Sequence, residues 1–243
     1  MTAAAHVRQL ADGEFVVHSL EDHLLSVGEL AAKFAAVINA GAWGELAGTW
    51  HDLGKYQSTF QRHIASASGL DRHVEAPGRV KHAIAGAIHA AEALGAYGQL
   101  LAYLIAGHHA GLPDWLPGEA GGAALSQELR DERSTLAQAM AAGPPPAIIS
   151  PRITLTRPAI RRSEDLRVWL RMLFSCLVDA DFLASCIAVG QSATVWPGVG
   201  LVLLSEHGRF KARMEGPTSG NILLRQAQHA RAADADFSLR IAR

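Results

Sequence analysis

The chain has 243 residues, 49% of them apolar, and a formal net charge of −1. This length and apolar content predict a folded protein with a substantial core and exclude a wholly disordered chain. The balanced charge excludes nucleic-acid binding through overall basic character, so such contacts must come from a local patch, from metals or from a partner.

The chain shows no sign of export or membrane insertion. Its start lacks a basic stretch followed by an apolar block, the mark of a secretory signal. The longest apolar runs, such as residues 100–106, are far below the roughly 20 residues that span a bilayer. Cys176 and Cys186 fall within one predicted helix as buried small residues of a reducing compartment. We therefore expect a cytoplasmic protein without a membrane partner.

Apolar residues recur at helical spacing along most of the chain, and no strand alternation of any length occurs. Ser19 and Asp22 resemble a capping box at the start of the first helix. Two short apolar patches, 148–149 and 153–155, are candidates for a hairpin within an extended connector. The predicted class is all-α, with helices over residues 22–39, 43–53, 56–65, 80–94, 97–109, 126–141, 164–189, 201–214 and 221–233.

The adjacent pair His51-Asp52 is the most informative motif. A neutral imidazole and a carboxylate are both good ligands for a divalent ion. Such a pair also occurs by chance, as a helix end with a charge-stabilised imidazole. The following Gly54 is expected to expose the pair, and Lys55 places a cation beside a phosphate-sized space.

A second candidate pair, His108-His109, ends an otherwise apolar predicted helix. Buried imidazoles need polar partners, so these two residues are either metal ligands or a packed and a solvated histidine. His82 shares a helix face with His89, which competes with it as a ligand. His23 has a rival in His18.

Asp181 continues the apolar stripe of the predicted helix over residues 164–189. An ionised carboxylate there is costly unless a cation compensates it. The cation is either a metal ion or an arginine such as Arg171 or Arg161. Asp179 is the alternative ligand, and only its position, roughly 160° away on a helical wheel, favours Asp181.

The other histidines are expected at the surface. No zinc-finger spacing of Cys and His and no Walker phosphate loop occurs, so neither a structural zinc site nor ATP hydrolysis is expected. The histidines assigned to the surface are His6, His63, His73, His207 and His229.

In chain order, these residues resemble the HD-domain phosphohydrolases and, more narrowly, the HD nuclease domain of the CRISPR-associated helicase-nuclease of type I systems. The resemblance covers about residues 18–183. It implies an HD-domain helical bundle over residues 1–190, followed over 191–243 by a helical extension similar to the lead-in to a helicase motor. The most discriminating run is Gly107-His108-His109-Ala110-Gly111-Leu112-Pro113-Asp114.

The resemblance implies a dinuclear metal site between helices, with Asp52 as bridging ligand. Asp52 and Lys55 would be the catalytic residues, and Lys55 would stabilise charge on the reacting oxygens. The histidine-rich set suits Mn²⁺, Co²⁺, Ni²⁺ or Fe²⁺ better than Mg²⁺. The implied ligands are His23, His51, Asp52 and Asp181 for one ion, and Asp52, His82, His108 and His109 for the other.

The implied activity is metal-dependent endo- or exonucleolytic cleavage of single-stranded DNA in CRISPR interference. The implied partners are a helicase domain or subunit and a DNA-bound surveillance complex. A nucleotide phosphohydrolase, a cyclic-nucleotide phosphodiesterase and a mainly recruiting domain remain as alternatives. Trp115 is a candidate for base stacking or for packing. Candidates for lining the path of a strand, or for a solvated face, are Arg152, Arg157, Arg161, Arg162, Arg167 and Arg171.

Overall fold

The computed structural model describes residues 2–10, 12–70, 80–118, 124–158, 160 and 162–188. These residues form mostly helices, with a two-stranded antiparallel sheet near the start of the chain. The elements in order are β1 (Ala4–Gln9), β2 (Phe15–Ser19), α1 (Leu20–Ala35), α2 (Gly41–Trp50), α3 (Ser58–Ala67), α4 (Ala83–Gly107), α5 (Leu125–Asp131), α6 (Arg133–Ala141), α7 (Pro146–Ile149) and α8 (Ser163–Ala188). Single turns of 3₁₀ helix cover Ala36–Ile38 and Leu53–Tyr56.

The first helix begins where the sequence places its cap. Ser19 is the N-cap of α1, and its hydroxyl accepts a hydrogen bond from the Asp22 N–H at 3.4 Å. Glu21 and Asp22 lie in the first turn, where negative charge is favourable to the helix dipole. Below them, an apolar stripe that includes Leu24 and Val27 is fully buried in the core. This anchored start fixes the position of His23.

Helices α1 and α2 touch through their backbones. A Cβ atom placed on Gly48 would lie 2.7 Å from the Cα atom of Gly28, so neither position has room for a side chain. Gly54 serves a similar purpose one turn later, because a Cβ there would collide with the carbonyl oxygen of His82. Glycine at these positions brings the end of α2 against both α1 and the segment before α4.

The predicted helices 80–94 and 97–109 form one continuous element with a break between them. Within α4, Gly95 adopts φ 55° and ψ −124°, a conformation that L side chains rarely adopt. The predicted gap therefore coincides with a kink. Conversely, the single helix predicted over 126–141 is two helices, because Glu132 leaves the helical conformation.

The all-α prediction is wrong for the first 19 residues. β1 and β2 pair in an antiparallel register that places His6 opposite His18. The turn between them contains Gly13 with φ 91°, and the Asp12 carboxylate accepts a hydrogen bond from the Glu14 N–H. An Asp-Gly pair between short apolar stretches is a hairpin signal, and it is present in the sequence.

The hairpin expected around residues 148–155 is also wrong. Pro146 begins the one-turn helix α7, consistent with the preference of proline for the first helical position. The carbonyl of Ile148 accepts a hydrogen bond from Trp50 Nε1 at 2.7 Å. This contact secures the connector to α2, directly before His51.

Cys176 is buried, as predicted. Within the described part of the chain, no helix combines the length and apolarity needed to cross a membrane. The helices predicted over 201–214 and 221–233, the extension over 191–243, and Arg161, His73, His207 and His229 lie outside the described residues.

Candidate metal centre

Asp52 lies at the centre of a cluster of imidazoles. Its Oδ1 atom is 3.4 Å from both His82 Nε2 and His108 Nε2, and 3.8 Å from His109 Nε2. Its Oδ2 atom is 3.2 Å from His51 Nε2 and 3.8 Å from His23 Nε2. The two oxygens of one carboxylate thus face two separate sets of nitrogens.

Asp181 completes the set around Oδ2. Its Oδ1 atom lies 3.4 Å from His23 Nε2 and 3.5 Å from His51 Nε2. Within the described ranges, three groups of side chains bring possible ligand atoms within 4.8 Å of one another, and two of these groups share Asp52. The first is His23, His51, Asp52 and Asp181, and the second is Asp52, His82, His108 and His109.

Five of the seven residues lie at or just beyond the end of an element. His51 and Asp52 follow directly after α2, and His82 is the N-cap of α4. His108 is the C-cap of the same helix, so α4 delivers ligand-type residues from both of its ends. α1 and α8 supply His23 and Asp181 from within their lengths.

Backbone carbonyls fix the rings of three histidines. His51 Nδ1 lies 2.7 Å from the Gly48 carbonyl oxygen, and His108 Nδ1 lies 2.6 Å from that of Ile105. His82 Nδ1 lies 3.1 Å from the Val80 carbonyl oxygen. A carbonyl only accepts, so each Nδ1 carries the proton and donates. Nε2 is therefore the ring nitrogen left on the side of Asp52 for a metal ion, the usual orientation of a metal-ligating histidine.

Several buried polar atoms of the cluster lack hydrogen-bond partners. They include both nitrogens of His23, the Nε2 atoms of His51 and His108, and Oδ1 of Asp52. Asp52 Oδ2 is ion-paired with Lys55 but has no hydrogen bond of good geometry. Native proteins rarely leave such groups unsatisfied, because their desolvation is costly. Divalent cations would satisfy all of these atoms together.

The spacing of the atoms also fits coordination. Ligand nitrogens bound at about 2.1 Å around one ion lie about 3.0–3.4 Å from each other. Asp52 Oδ1 lies 3.4 Å from two imidazole nitrogens. His82 Nε2 lies 2.8 Å from His109 Nε2, a hydrogen-bond distance, so these two rings would separate slightly around an ion. The donor set is mainly nitrogen, which suits first-row transition metals better than Mg²⁺.

Most of these groups are in the protonation state of a ligand. Burial raises the pKa values of Asp52 and Asp181, but neighbouring cationic groups outweigh it and hold both well below the usual range. Burial, with His108 as second cause, lowers the pKa of His109 to about 3, and burial also lowers the pKa of His82. His51 is the exception. Burial opposes its charged form, yet the Asp52 and Asp181 carboxylates raise its pKa to about 10.

Lys55 is buried against the cluster rather than extended into solvent. Its Nζ atom lies 2.7 Å from Asp52 Oδ2 and 5.7 Å from the centre of the Phe60 ring. This ammonium therefore compensates the Asp52 carboxylate in the arrangement described. It also lies close enough to interact with an anion bound at the cluster.

Several of the alternative residues named from the sequence lie outside the cluster of seven. His89 Nε2 lies 2.9 Å from the Ile149 carbonyl oxygen, and His89 belongs to none of the three groups. Asp179 is buried but is likewise absent from these groups, whereas Asp181 faces His23 and His51. Trp115 packs against the hydrophobic core, and Arg162 pairs with Asp165 at 3.2 Å.

His6 was not recognised from the sequence. The prediction places it at the surface, but its ring is half-buried and lies edge-on to His23, with centroids 4.9 Å apart. His18 also faces His23, at 5.7 Å. Both side chains reach α1 because of the hairpin, and the Asp12-Gly13 turn was the signal that would have revealed them.

Residues 191–243 match the family model described as "CRISPR associated protein Cas1". A "CRISPR-associated endonuclease Cas1 1" from Chlorobaculum tepidum is 39% identical over 85 residues, 35% of this chain and 24% of that protein. A protein of the same name from Moorella thermoacetica is 54% identical over 43 residues, 18% of this chain and 12% of the relative. The chain thus spans a quarter or less of the length of these relatives.

The comparison also finds a solved structure titled "Crystal structure of CRISPR-associated protein". The alignment covers 90% of this chain and 25% of the solved chain, at 20% identity and a TM-score of 0.40. Those values are too low to indicate a shared fold.

These comparisons overturn the expected membership of the HD nuclease domain of type I helicase-nucleases. The family model and the curated relatives are Cas1 proteins. The residues expected to lead into a helicase motor are those that match Cas1, so the helicase partner has no support either. The imidazole–carboxylate cluster extends from residue 23 to residue 181 and precedes the matched segment.

Proposed function

We propose that this chain is a CRISPR-associated, metal-dependent phosphodiesterase that cleaves nucleic acid. The observation that carries the proposal is Asp52. Its carboxylate is buried, and its two oxygens face different sets of imidazole nitrogens. Such a carboxylate is suited to bridging two ions. The names of the curated relatives, CRISPR-associated endonucleases, support the nuclease reading.

Two divalent ions would occupy the two groups that share Asp52. When bound, such a pair supplies an activated water and stabilises the charge that develops on phosphate oxygens. The first group comprises His23, His51, Asp52 and Asp181, and the second comprises Asp52, His82, His108 and His109.

The surrounding residues hold this chemistry in place and limit the access of water. His23, His51, His108 and Asp52 are buried, whereas the side chains of His82, Asp181 and His109 are 18%, 21% and 39% exposed. A substrate therefore approaches from the side formed by these three residues. Two carboxylates against two divalent ions and Lys55 leave a positive surplus, which an anionic phosphodiester is suited to neutralise.

We propose single-stranded DNA as the substrate and residues 1–190 as the catalytic unit. A buried centre with one open side favours a flexible strand, whose backbone can bend towards the ions more easily than that of a duplex. The family-model match begins at residue 191, which supports a division of the chain near that position. Residues 191–243 would connect the catalytic unit to the rest of a CRISPR-associated assembly.

Activity with a panel of ions tests this function. After chelator treatment, we expect the protein to cleave circular single-stranded DNA with Mn²⁺, Co²⁺, Ni²⁺ or Fe²⁺, and poorly with Mg²⁺. Cleavage of a circle demonstrates endonuclease activity, and duplex DNA of the same sequence is the matched control. Turnover of nucleotides or cyclic nucleotides with intact DNA would instead identify a nucleotide phosphohydrolase or phosphodiesterase.

We propose that Lys55 stabilises negative charge on the bound phosphodiester. Once metal ions bind Asp52, they replace the Lys55 ammonium as the partner of Oδ2, and the ammonium is then free to contact the substrate. Lys55→Ala is expected to lower kcat about 10- to 100-fold, the range of about 1.4–2.7 kcal/mol in the barrier, while both ions remain bound. Metal content and kcat measured on the same preparation test this. Arg62→Ala removes an exposed cation on α3 as the control, and loss of the ions from Lys55→Ala would contradict the proposed role.

A further inference from the structure

The hairpin that precedes α1 presents two imidazoles side by side. His6 on β1 and His18 on β2 are direct partners in the antiparallel register, so their side chains point to the same face. Their rings are stacked, with an angle of 12° between planes and 6.1 Å between centroids. Neither residue belongs to the two groups that share Asp52.

Both imidazoles face His23 on α1. The His23 ring meets His6 and His18 edge-on, and one possible ligand atom from each of the three residues lies within 4.8 Å of the others. His23 Nε2 is directed towards Asp181 and Asp52. Its second ring nitrogen is therefore the one left to interact with the hairpin.

The second nitrogen of His23 differs from those of its neighbours. His51 and His108 donate Nδ1–H to backbone carbonyls, whereas His23 Nδ1 is buried and has no hydrogen-bond partner. His18 Nδ1 is also buried without a partner. Buried polar atoms of this kind call for a ligand, and two of them belong to this group of three histidines.

We propose that His6, His18 and His23 bind a third divalent transition-metal ion, beside the pair that Asp52 would hold. The site consists of three imidazoles without a carboxylate, a donor set that favours Zn²⁺ or Co²⁺ over Mg²⁺ and Mn²⁺.

His23 would link the third ion to the other two. With Nδ1 on the third ion and Nε2 on the Asp52 side, its ring coordinates through both nitrogens as an imidazolate and releases one proton to solvent. The ion would also attach the hairpin to α1 and, through the contact of His6 Nε2 with Ser185 Oγ at 3.3 Å, to α8. It would therefore orient a ligand of the catalytic pair without contacting substrate.

Metal counting on the full chain tests the proposal. Chelator-stripped protein is loaded with Co²⁺, freed of excess ion by gel filtration and analysed for bound metal. We expect three ions per wild-type chain, two per chain in the His6→Gln/His18→Gln double variant, and three in the control His63→Gln. Two or fewer in the wild type, or equal numbers in the wild type and the double variant, would overturn the third site.

An Asp52→Asn background separates this proposal from the proposed function. That variant is expected to lose the pair of ions yet retain one Co²⁺, whose visible absorption disappears when His6→Gln is added. Retention of no ion would overturn the third site even if the nuclease assignment stands. Should the double variant fail to fold by circular dichroism, single His18→Gln is used, and Co²⁺ must then raise the Tm of the wild type more than that of the variant.

Discussion

Asp52→Asn is expected to abolish binding at both groups that share this residue and to lower cleavage at least about 1,000-fold, or roughly 4 kcal/mol in the barrier. Asparagine keeps the size of the side chain but removes the only charge common to both groups. The remaining ligands on the His82 side are imidazoles, which offer no negative charge. On the other side, Asp181 alone would have to compensate a divalent ion.

The same substitution perturbs the protein without metal, so folding has to be measured together with activity. Asp52 is the buried counter-charge of Lys55 and of His51. Breaking a buried pair typically costs about 3–5 kcal/mol, so the free energy of unfolding of the ion-free variant should fall by an amount in this range. Asp131→Asn, at an exposed position on α5, is the control for the chemical change.

A second variant sharpens the result. Asp181→Asn removes a ligand from one group only, so it should lose one ion and retain the other. The comparison distinguishes a bridging carboxylate from an ordinary ligand. If Asp52→Asn still bound two ions, or lost no more than Asp181→Asn, Asp52 would not be the shared ligand.

The full set of seven residues was an expectation from the family resemblance, but two of its members stand out in the sequence itself as polar residues on apolar helices. Asp181 lies on an apolar stripe, and His108 follows an apolar helix. The helical wheel favoured Asp181 over Asp179, and Asp181 is the residue that faces His23 and His51. These inferences depend only on local periodicity, which a single sequence reports well.

The part that the sequence analysis missed depends on pairing between segments. His6 and His18 come together through a cross-strand register, and strands as short as Phe15–Ser19 leave little periodicity to detect. The approach of His82 to Asp52 requires Gly54 to admit a backbone carbonyl. In the sequence that glycine indicated only a sharp exit from a helix.

The family resemblance failed for a related reason. A set of metal-binding residue types in a given order reports the chemistry of a site, and a similar set can serve in different proteins. Residues 191–243 carry no such ordered set of metal-binding residue types. They were assigned to a helicase lead-in only because of a general resemblance in sequence. The family-model match over 191–243 depends on the whole segment and corrects that assignment.

Metal affinity is expected to rise with pH, by about tenfold per unit between pH 6.5 and 8.5. In the ion-free cluster, the Asp52 and Asp181 carboxylates outweigh burial and raise the pKa of His51 to about 10, so this imidazole holds a proton at neutral pH. An ion that takes its Nε2 lone pair must release that proton. Each unit of pH below about 10 therefore makes binding about ten times weaker.

The slope of metal affinity against pH shows whether binding releases one proton or several. His82 and His109 contribute nothing to it, because burial lowers the pKa of both, to about 3 for His109. Calorimetric titration of the His6→Gln/His18→Gln variant, which lacks the proposed third site and its proton release, with Co²⁺ at pH 6.5, 7.5 and 8.5 in buffers of different ionisation enthalpy measures both affinity and protons released. A flat profile would show that His51 is already neutral, and a release of three protons would show that its neighbours are charged as well.

Above neutral pH, the free energy of unfolding of the ion-free protein should fall as pH rises, whereas its metal affinity rises. His51 has a folded-state pKa above its ordinary value, so its contribution to the free energy of unfolding is complete below about pH 6.5 and is lost as pH rises towards 10. The depressed pKa values of Asp52 and Asp181 act in the other sense, and their contribution is lost in acid. Denaturant unfolding of the ion-free chain should therefore show greatest stability between the acid range and about pH 6.5. Saturating Co²⁺ should move that maximum to higher pH, because the ion replaces the His51 proton.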